Sequence, residues 1–436
     1  MNQGFSLPRR TFSLCPVCGR RIEAEYRREG DSVFLYKECP KDGSFSTVVW
    51  RGSPDITEWL PEMPEALEAE LGQCPTQCGL CSSHLAATCC VLVEVTERCN
   101  LNCDFCFAGG PGAAPEPSAE QLTEVFDELV RGGRFFLQLT GGEPTLRDDL
   151  PRLVKIASRA GFQYIQLNTN GIRLAEDEKY TAALAKAGLS FVFLQFDGTD
   201  DTIYKKLRGR PLLELKKKAI ENCAKYNLGV ILVPMLVPGV NTESLWDIVS
   251  FGVSLSPVVR GVHFQPVSYF GRKEKAPSND ERFTLAELLS GLERQSAGQL
   301  RVRNFTPSRC DHALCGFHGG FTVSDGRLQP AAAERAEKKG CRGSVTAEAN
   351  RNYIGTRWLP PKEPCCCGAN SDDLSPTFDE FLQQLRSRSF TVTAMAFQDI
   401  WNLDLDRLRR CSLHLWNKGR IVPFCANYLG LAEVQR

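Results

Sequence analysis

The sequence has no long hydrophobic run. No window reaches the roughly eighteen consecutive apolar residues that span a bilayer, and the apolar stretch from Gly229 to Val240 is broken by Pro234 and Pro238. Charge of neither sign is in excess: 52 basic residues face 52 acidic ones, so nothing global points to nucleic acid or an anionic membrane as a partner. No internal repeat of fixed period is visible. A secretory start is missing too, because Met1 to Val17 holds no continuous apolar stretch and already contains Cys15. Arg9-Arg10-Thr11-Phe12-Ser13-Leu14 resembles a twin-arginine signal, but no hydrophobic segment follows it. These absences predict a cytoplasmic protein with no transmembrane segment and no nucleic-acid partner.

What the chain does have is cysteine, 20 in 436 residues, with 42% hydrophobic residues to supply a core. In a reducing compartment, cysteines in short-spaced clusters read as metal ligands and not as disulfides. They divide the chain into three parts. Residues 1–90 form a cysteine-rich metal-binding region, 91–267 a regular section, and 268–436 a second cysteine-rich region read as holding auxiliary clusters.

The middle section alternates short apolar runs with amphipathic stretches, the signature of strand and helix units around a parallel sheet. Strands are expected at Val91–Val95, Phe135–Leu139, Tyr164–Leu167, Phe191–Phe196, Val230–Val233 and Val262–Pro266. Helices are expected at Ala119–Val130, Leu150–Ala160, Glu176–Ala187, Leu212–Tyr226 and Thr242–Val253, the first capped by Ser118 with Gln121 three residues on. Six units are too few to close an eight-stranded barrel, so the expected fold is α/β, a partial (βα)6 barrel. Ligands should gather at the carboxyl ends of its strands.

Directly after the first expected strand, Cys99, Cys103 and Cys106 place three thiols within eight residues. A [4Fe–4S] cube normally takes four protein ligands, so a cube held by three keeps one iron open to an external ligand. The same spacing also suits a structural zinc, or a complete cluster that borrows a fourth thiol. Gly141-Gly142-Glu143-Pro144 follows the second expected strand, and alone it would be an ordinary strand-to-helix turn. Asn168-Thr169-Asn170-Gly171 and Gln195-Phe196-Asp197-Gly198 end the third and fourth strands, where turn chemistry and ligand contact are equally open.

Taken in this order, the triad, with Phe105 just before its last cysteine, and the Gly-Gly-Glu-Pro turn resemble the radical SAM superfamily. The resemblance implies a [4Fe–4S] cluster on Cys99, Cys103 and Cys106, with S-adenosylmethionine (SAM) bound to it. It implies SAM contacts for Phe105, Gly141, Gly142 and Glu143, and contacts to the SAM ribose or carboxylate for Asn170 and Asp197. The implied chemistry is reductive cleavage of SAM to a 5′-deoxyadenosyl radical, followed by hydrogen abstraction from an unactivated carbon. An electron donor such as a ferredoxin or flavodoxin is implied with it.

Cys15-Pro16-Val17-Cys18 is a knuckle of the zinc-ribbon or rubredoxin kind, with Cys39 as a third thiolate. Asp42 either donates a fourth ligand oxygen or simply makes the turn before Gly43, and the sequence does not choose between iron and zinc. Cys74, Cys78 and Cys81, with His84, Cys89 and Cys90 nearby, suit an auxiliary [4Fe–4S] cluster. Cys310, Cys315, Cys366, Cys411 and Cys425 could complete that cluster and build another. A hairpin around Asn417-Lys418-Gly419 would bring Cys411 and Cys425 towards one end. These features resemble the branch that contains the tetraether lipid synthases and the TrsS group. A lipid, a peptide and a small molecule all remain open as substrate, and so do a peptide maturase and a non-catalytic electron carrier as alternative functions.

Overall fold

The computed structural model describes residues 7–60, 68–72, 74–75, 79–108, 110, 112, 115–270, 276–308, 310–331, 347–360 and 388–429. Cys78, Cys341, Cys365, Cys366 and Cys367 lie outside the described residues.

The N-terminal region is a four-stranded antiparallel meander of β1 (Arg9–Leu14), β2 (Arg21–Glu29), β3 (Ser32–Cys39) and β4 (Gly43–Arg51). Gly30, at φ 62°, supplies the left-handed residue that the tight β2–β3 turn needs. Alternation along β2 sends Ile22, Ala24 and Tyr26 inward and their neighbours outward. The meander is tied to the C-terminal region by polar bonds. The Lys37 ammonium donates to Ser13 Oγ at 3.0 Å, to the Leu14 carbonyl at 3.1 Å and to the Ile400 carbonyl at 2.8 Å, and Thr47 donates to the Trp401 carbonyl.

The expected strands of the middle section all form, as β5 (Cys90–Thr96), β6 (Phe136–Gly141), β7 (Tyr164–Thr169), β8 (Phe191–Gln195), β9 (Gly229–Val233), then a short β10 (Met235–Leu236) and β11 (Val259–Pro266). Helices fall at Ala119–Arg131, Leu150–Ala160, Glu178–Ala187, Leu213–Lys225 and Leu245–Ser254, close to the sequence reading. Ser118 and Gln121 make the reciprocal capping box their spacing suggests. Two helices of this section escaped that reading, the short Ile172–Glu176 and Asp201–Arg208, the second capped by Asp200, which accepts from the Thr202 amide.

The C-terminal region carries β12 (Thr306–Pro307), β13 (Gly316–Ser324), β14 (Arg327–Pro330), β15 (Ser389–Met395), β16 (Leu413–Asn417) and β17 (Arg420–Pro423). It is part of the barrel wall. Strand β15 adds parallel to β11 and β16 adds parallel to β5, which gives the order β15-β11-β9-β8-β7-β6-β5-β16 among the described residues. The six-stranded arc is thereby extended at both edges. Antiparallel β13 and β17 cover the outer edges, so no long bare edge is left there. The β16–β17 hairpin turns at Lys418 and Gly419, with φ of 47° and 81°. A helix at Ala347–Trp358 closes the amino end of the barrel. Its Gly355 lies so close to the Tyr164 ring that a Cβ there would sit 2.2 Å away, and the Trp358 indole donates to Thr391 Oγ1.

Candidate active site

The loop that follows β5 is fixed at both ends of the cysteine triad. Leu101 is buried against Ile172, Tyr204 and Leu212, and Phe107 stands in an aromatic cluster with Phe270, Phe397, Phe424 and Tyr428 at 5.4–6.1 Å. Cys99, Cys103 and Cys106 line one cavity, and Phe105, also on its wall, packs edge-on against Tyr269. Burial pushes the Cys99 thiol up to about 11, so its thiolate form needs a cationic partner of the kind an iron–sulfur cluster supplies.

Gly141 and Gly142 are glycines because two backbones meet there. A Cβ would sit 2.1 Å from the Thr96 carbonyl at Gly141 and 2.2 Å from the Arg98 carbonyl at Gly142. The amides of Gly142 and Glu143 donate to Thr96 and Arg98 at 2.8 and 2.7 Å, which sews this turn to the start of the triad loop. Glu143 is buried, and its Oε1 accepts from the Thr145 amide, the Thr145 hydroxyl and the Thr169 hydroxyl. Its Oε2 accepts from the Asn170 amide at 2.6 Å. The carboxylate therefore joins the ends of β6 and β7.

Asn170 lines the cavity, donates to Asn100 Oδ1 at 2.7 Å and accepts from the Ile172 amide. Asp197 stands behind the wall. Both its oxygens accept from Arg208, at 2.7 and 2.8 Å, and Oδ1 also accepts from the Met235 amide. Arg208 is what reaches the cavity, beside Cys103, and it comes from a helix the sequence reading omitted. Burial opposes its charge, but Asp197 more than offsets this and keeps the guanidinium protonated. Removing one partner of such a buried pair typically costs about 3–5 kcal/mol. Lys216 is also buried nearby, where it donates to the Asn170 carbonyl and to Gln195 Oε1, and desolvation holds it down to about 7.

The cavity, about 320 Å³, runs down through the barrel. Its mouth holds the triad and the Gly141–Glu143 turn, its middle a set of amide side chains with His263, and its floor Phe136, Phe193 and Trp358. One side wall carries Leu92, Phe397, Phe424 and Tyr428, whose hydroxyl donates to Glu94 at 2.7 Å. Three soft thiol donors at one mouth, a backbone cradle with no room for a side chain and a buried cation beside them fit a three-cysteine cluster with a carboxylate-bearing cofactor docked on it.

The knuckle forms a separate centre. Ligand atoms of Cys15, Cys18, Cys39 and Asp42 all lie within 4.8 Å of one another, so Asp42 does stand where a fourth ligand would. The other cysteines fall into groups by place. Cys74 and Cys81 line a small cleft with His84 and Arg409. Cys89 and Cys310 share the donor Asn350, whose amide lies 3.4 and 3.1 Å from their sulfurs, with Asp311 beside Cys310. Cys315, Cys411 and Cys425 are buried near enough to disfavour one another's ionisation. Cys223 sits in the barrel core as a small buried hydrophobe.

Residues 93–252 match the family described as the radical SAM superfamily, and residues 7–51 match the HMPTM N-terminal zinc ribbon domain. The chain is 32% identical to 7,8-dihydro-6-hydroxymethylpterin dimethyltransferase of Methanocaldococcus jannaschii, over 98% of this chain and 95% of that protein. It is 33% identical to a probable GTP 3′,8-cyclase of Methanothermobacter thermautotrophicus, over 36% of this chain and 52% of that one. Among solved structures, Streptococcus suis SuiB bound to the precursor peptide SuiA matches at 17% identity and a TM-score of 0.39, over 49% of this chain and 46% of that one.

Proposed function

Since the chain belongs to the radical SAM superfamily and is a radical SAM enzyme, we propose that Cys99, Cys103 and Cys106 hold its [4Fe–4S] cluster and that the cavity beneath them is where SAM and substrate meet. When bound, cluster and SAM supply the one-electron cleavage and hydrogen abstraction from an unactivated carbon that functionalise a C–H bond. The observation that carries the reading is that the triad and the Gly141–Glu143 turn, 35 or more residues apart in sequence, face the same cavity.

The chain's own residues then do the holding. The Gly141–Glu143 backbone lies open beside the cluster loop and suits the ammonium end of a bound methionine, with Glu143 keeping that turn in register. Arg208, charged and buried, suits the carboxylate end, and Asp197 aims it. Phe105 and Asn170 complete the wall. The aromatic floor and side wall exclude water and competing hydrogen donors from the chamber.

The ribbon centre, a three-sulfur, one-oxygen set, suits a single tetrahedral zinc, with iron the alternative. Auxiliary [4Fe–4S] clusters are proposed on the remaining groups: Cys89 with Cys310, Cys315 with Cys411 and Cys425, and Cys74 with Cys81. A ferredoxin or flavodoxin is the proposed reductant. For the substrate, the Methanocaldococcus relative's name favours a reduced pterin over a lipid or a peptide. The test is anaerobic reconstitution with SAM and dithionite. The expected product is 5′-deoxyadenosine, and its absence from protein with the cluster confirmed present would sink the reading.

A further inference from the structure

Halfway down the cavity the inward faces of four strands carry Gln138, Gln166, Asn168, Gln195, His263 and Gln265. These are uncharged hydrogen-bonding groups, set beside the aromatic surfaces of Phe136, Phe193 and Trp358. Several of them are oriented by bonds to one another or to Lys216. Gln166 Nε2 donates to Gln138 Oε1 at 2.9 Å and to Asn168 Oδ1 at 3.1 Å, which uses both its hydrogens and leaves the NH2 groups of Gln138 and Asn168 without a partner among the described residues. Lys216 occupies Gln195 Oε1 in the same way. Gln265 has no side-chain partner among the described residues.

His263 adds a ring nitrogen to this belt of amides. Its Nδ1 lies 2.8 Å from Thr393 Oγ1, and the Thr393 hydroxyl donates to the Val262 carbonyl. The short Thr393 contact anchors the ring through Nδ1 and leaves Nε2 for a ligand in the chamber. Burial holds the imidazolium down to about 4, so the ring stays neutral. One face of the ring packs on Phe193 at 5.5 Å, and Trp358 lies 4.9 Å beyond Phe193. The chamber thus combines flat aromatic surfaces with an edge of hydrogen-bond donors and acceptors. A saturated alkyl chain would leave all of these polar groups buried and unpaired, whereas a planar heterocycle would pair them at its edge and stack on the aromatics.

We propose that His263 is a specificity-determining residue whose Nε2 accepts a hydrogen bond from a ring or amide N–H of a small, neutral, planar heterocyclic substrate. This rests on the cavity being the reaction chamber, and it deepens that reading. Thr393 is the positioning residue that holds the His263 ring through Nδ1.

The experiment uses the full chain, anaerobically reconstituted, with two probes measured by equilibrium binding: 7,8-dihydro-6-hydroxymethylpterin and a sixteen-carbon lysophospholipid. The wild type is expected to bind the pterin saturably and the lipid not at all. His263→Phe should weaken pterin binding roughly 10- to 100-fold, the loss of one buried hydrogen bond and the stranding of its partner. His263→Gln, which keeps an acceptor on a side chain of similar reach, should recover affinity to within about fivefold. Equal pterin affinity in the wild type and His263→Phe, or preferential saturable binding of the lipid, would overturn the proposal. Substrate-independent 5′-deoxyadenosine formation, measured in parallel, tests the radical chemistry by itself, so the two readings fail separately.

Discussion

The ribbon centre and the barrel triad are built from the same residue type and differ in how many ligands the chain supplies. In the ribbon, three cysteines and Asp42 converge on one point, and the sheet that carries them is bonded to the C-terminal region through Lys37 and Thr47. A tetrahedral ion there has its ligands complete, which suits a structural role. In the barrel, three cysteines on a single loop face a cavity, and what stands opposite them is a glycine turn and Arg208. Closed coordination holds a fold together, and incomplete coordination leaves a position for chemistry.

That contrast breaks most readily at Cys99. Cys99→Ser should lower 5′-deoxyadenosine formation by roughly a thousandfold or more, to background, because one part of a unit is removed. The ribbon's metal content, measured by elemental analysis, should not change. Loss of both together would mean the two centres are not independent.

The next effect lies behind the triad. Arg208→Met strands Asp197 as a buried, unpaired carboxylate and should cost about 3–5 kcal/mol in anaerobic denaturant unfolding. Combining it with Asp197→Asn should return much of that stability while SAM binding stays weak. If the double variant is no more stable than the single one, the pair is not what holds this wall.

His263 sharpens the barrel side through pH. Its pKa falls from 6.5 to about 4 on folding. Between those values the unfolded chain binds a proton that the folded chain refuses, so stability rises with pH across the window and is lost as pH falls from 6.5 through 4. The full shift is worth about 3 kcal/mol. His414 and His312 are depressed by burial as well, so the informative quantity is the wild type minus His263→Gln. An identical acid slope in both would place the titration elsewhere.

The smallest expected effect on catalysis is at the ribbon. Cys15→Ser should release the ribbon metal and lower the melting temperature, yet leave SAM cleavage within about threefold of wild type, since a complete structural site acts through stability. A collapse of cleavage at full cluster content would put the ribbon in the chemistry.

Much of this was legible in the sequence because it is local. The six barrel strands follow alternating apolar runs, Ser118 and Gln121 announce a helix start, and the spacing of Cys99, Cys103 and Cys106 lies within one loop. Gly141 and Gly142 were legible as a motif, though their physical reason, backbone contact with Thr96 and Arg98, needed the fold. What stayed hidden depends on contacts between distant segments. Strands β15 and β16 join the barrel from beyond residue 388, where the sequence was read by its cysteines and not by its β-pattern. Arg208 was missed along with its helix, although Asp200-Asp201-Thr202 is a start signal that would have marked it. Asp197 was read as facing a ligand, and in the fold it holds Arg208, which does the facing. Asn168 and Gln195 belong to polar clusters visible at strand ends, but His263, Gln138, Gln166 and Gln265 carry no motif, and only the shared inward face of several strands brings them together.

The central claim is that one iron of the barrel cluster is left for SAM. Electron–nuclear double resonance on the anaerobically reduced protein, with SAM isotopically labelled at its amine and carboxylate, tests it most directly. Hyperfine coupling from both labels, present in the wild type and absent in Cys99→Ser, is the predicted result. A fully assembled, reduced cluster in the barrel that shows no coupling to either label would contradict it.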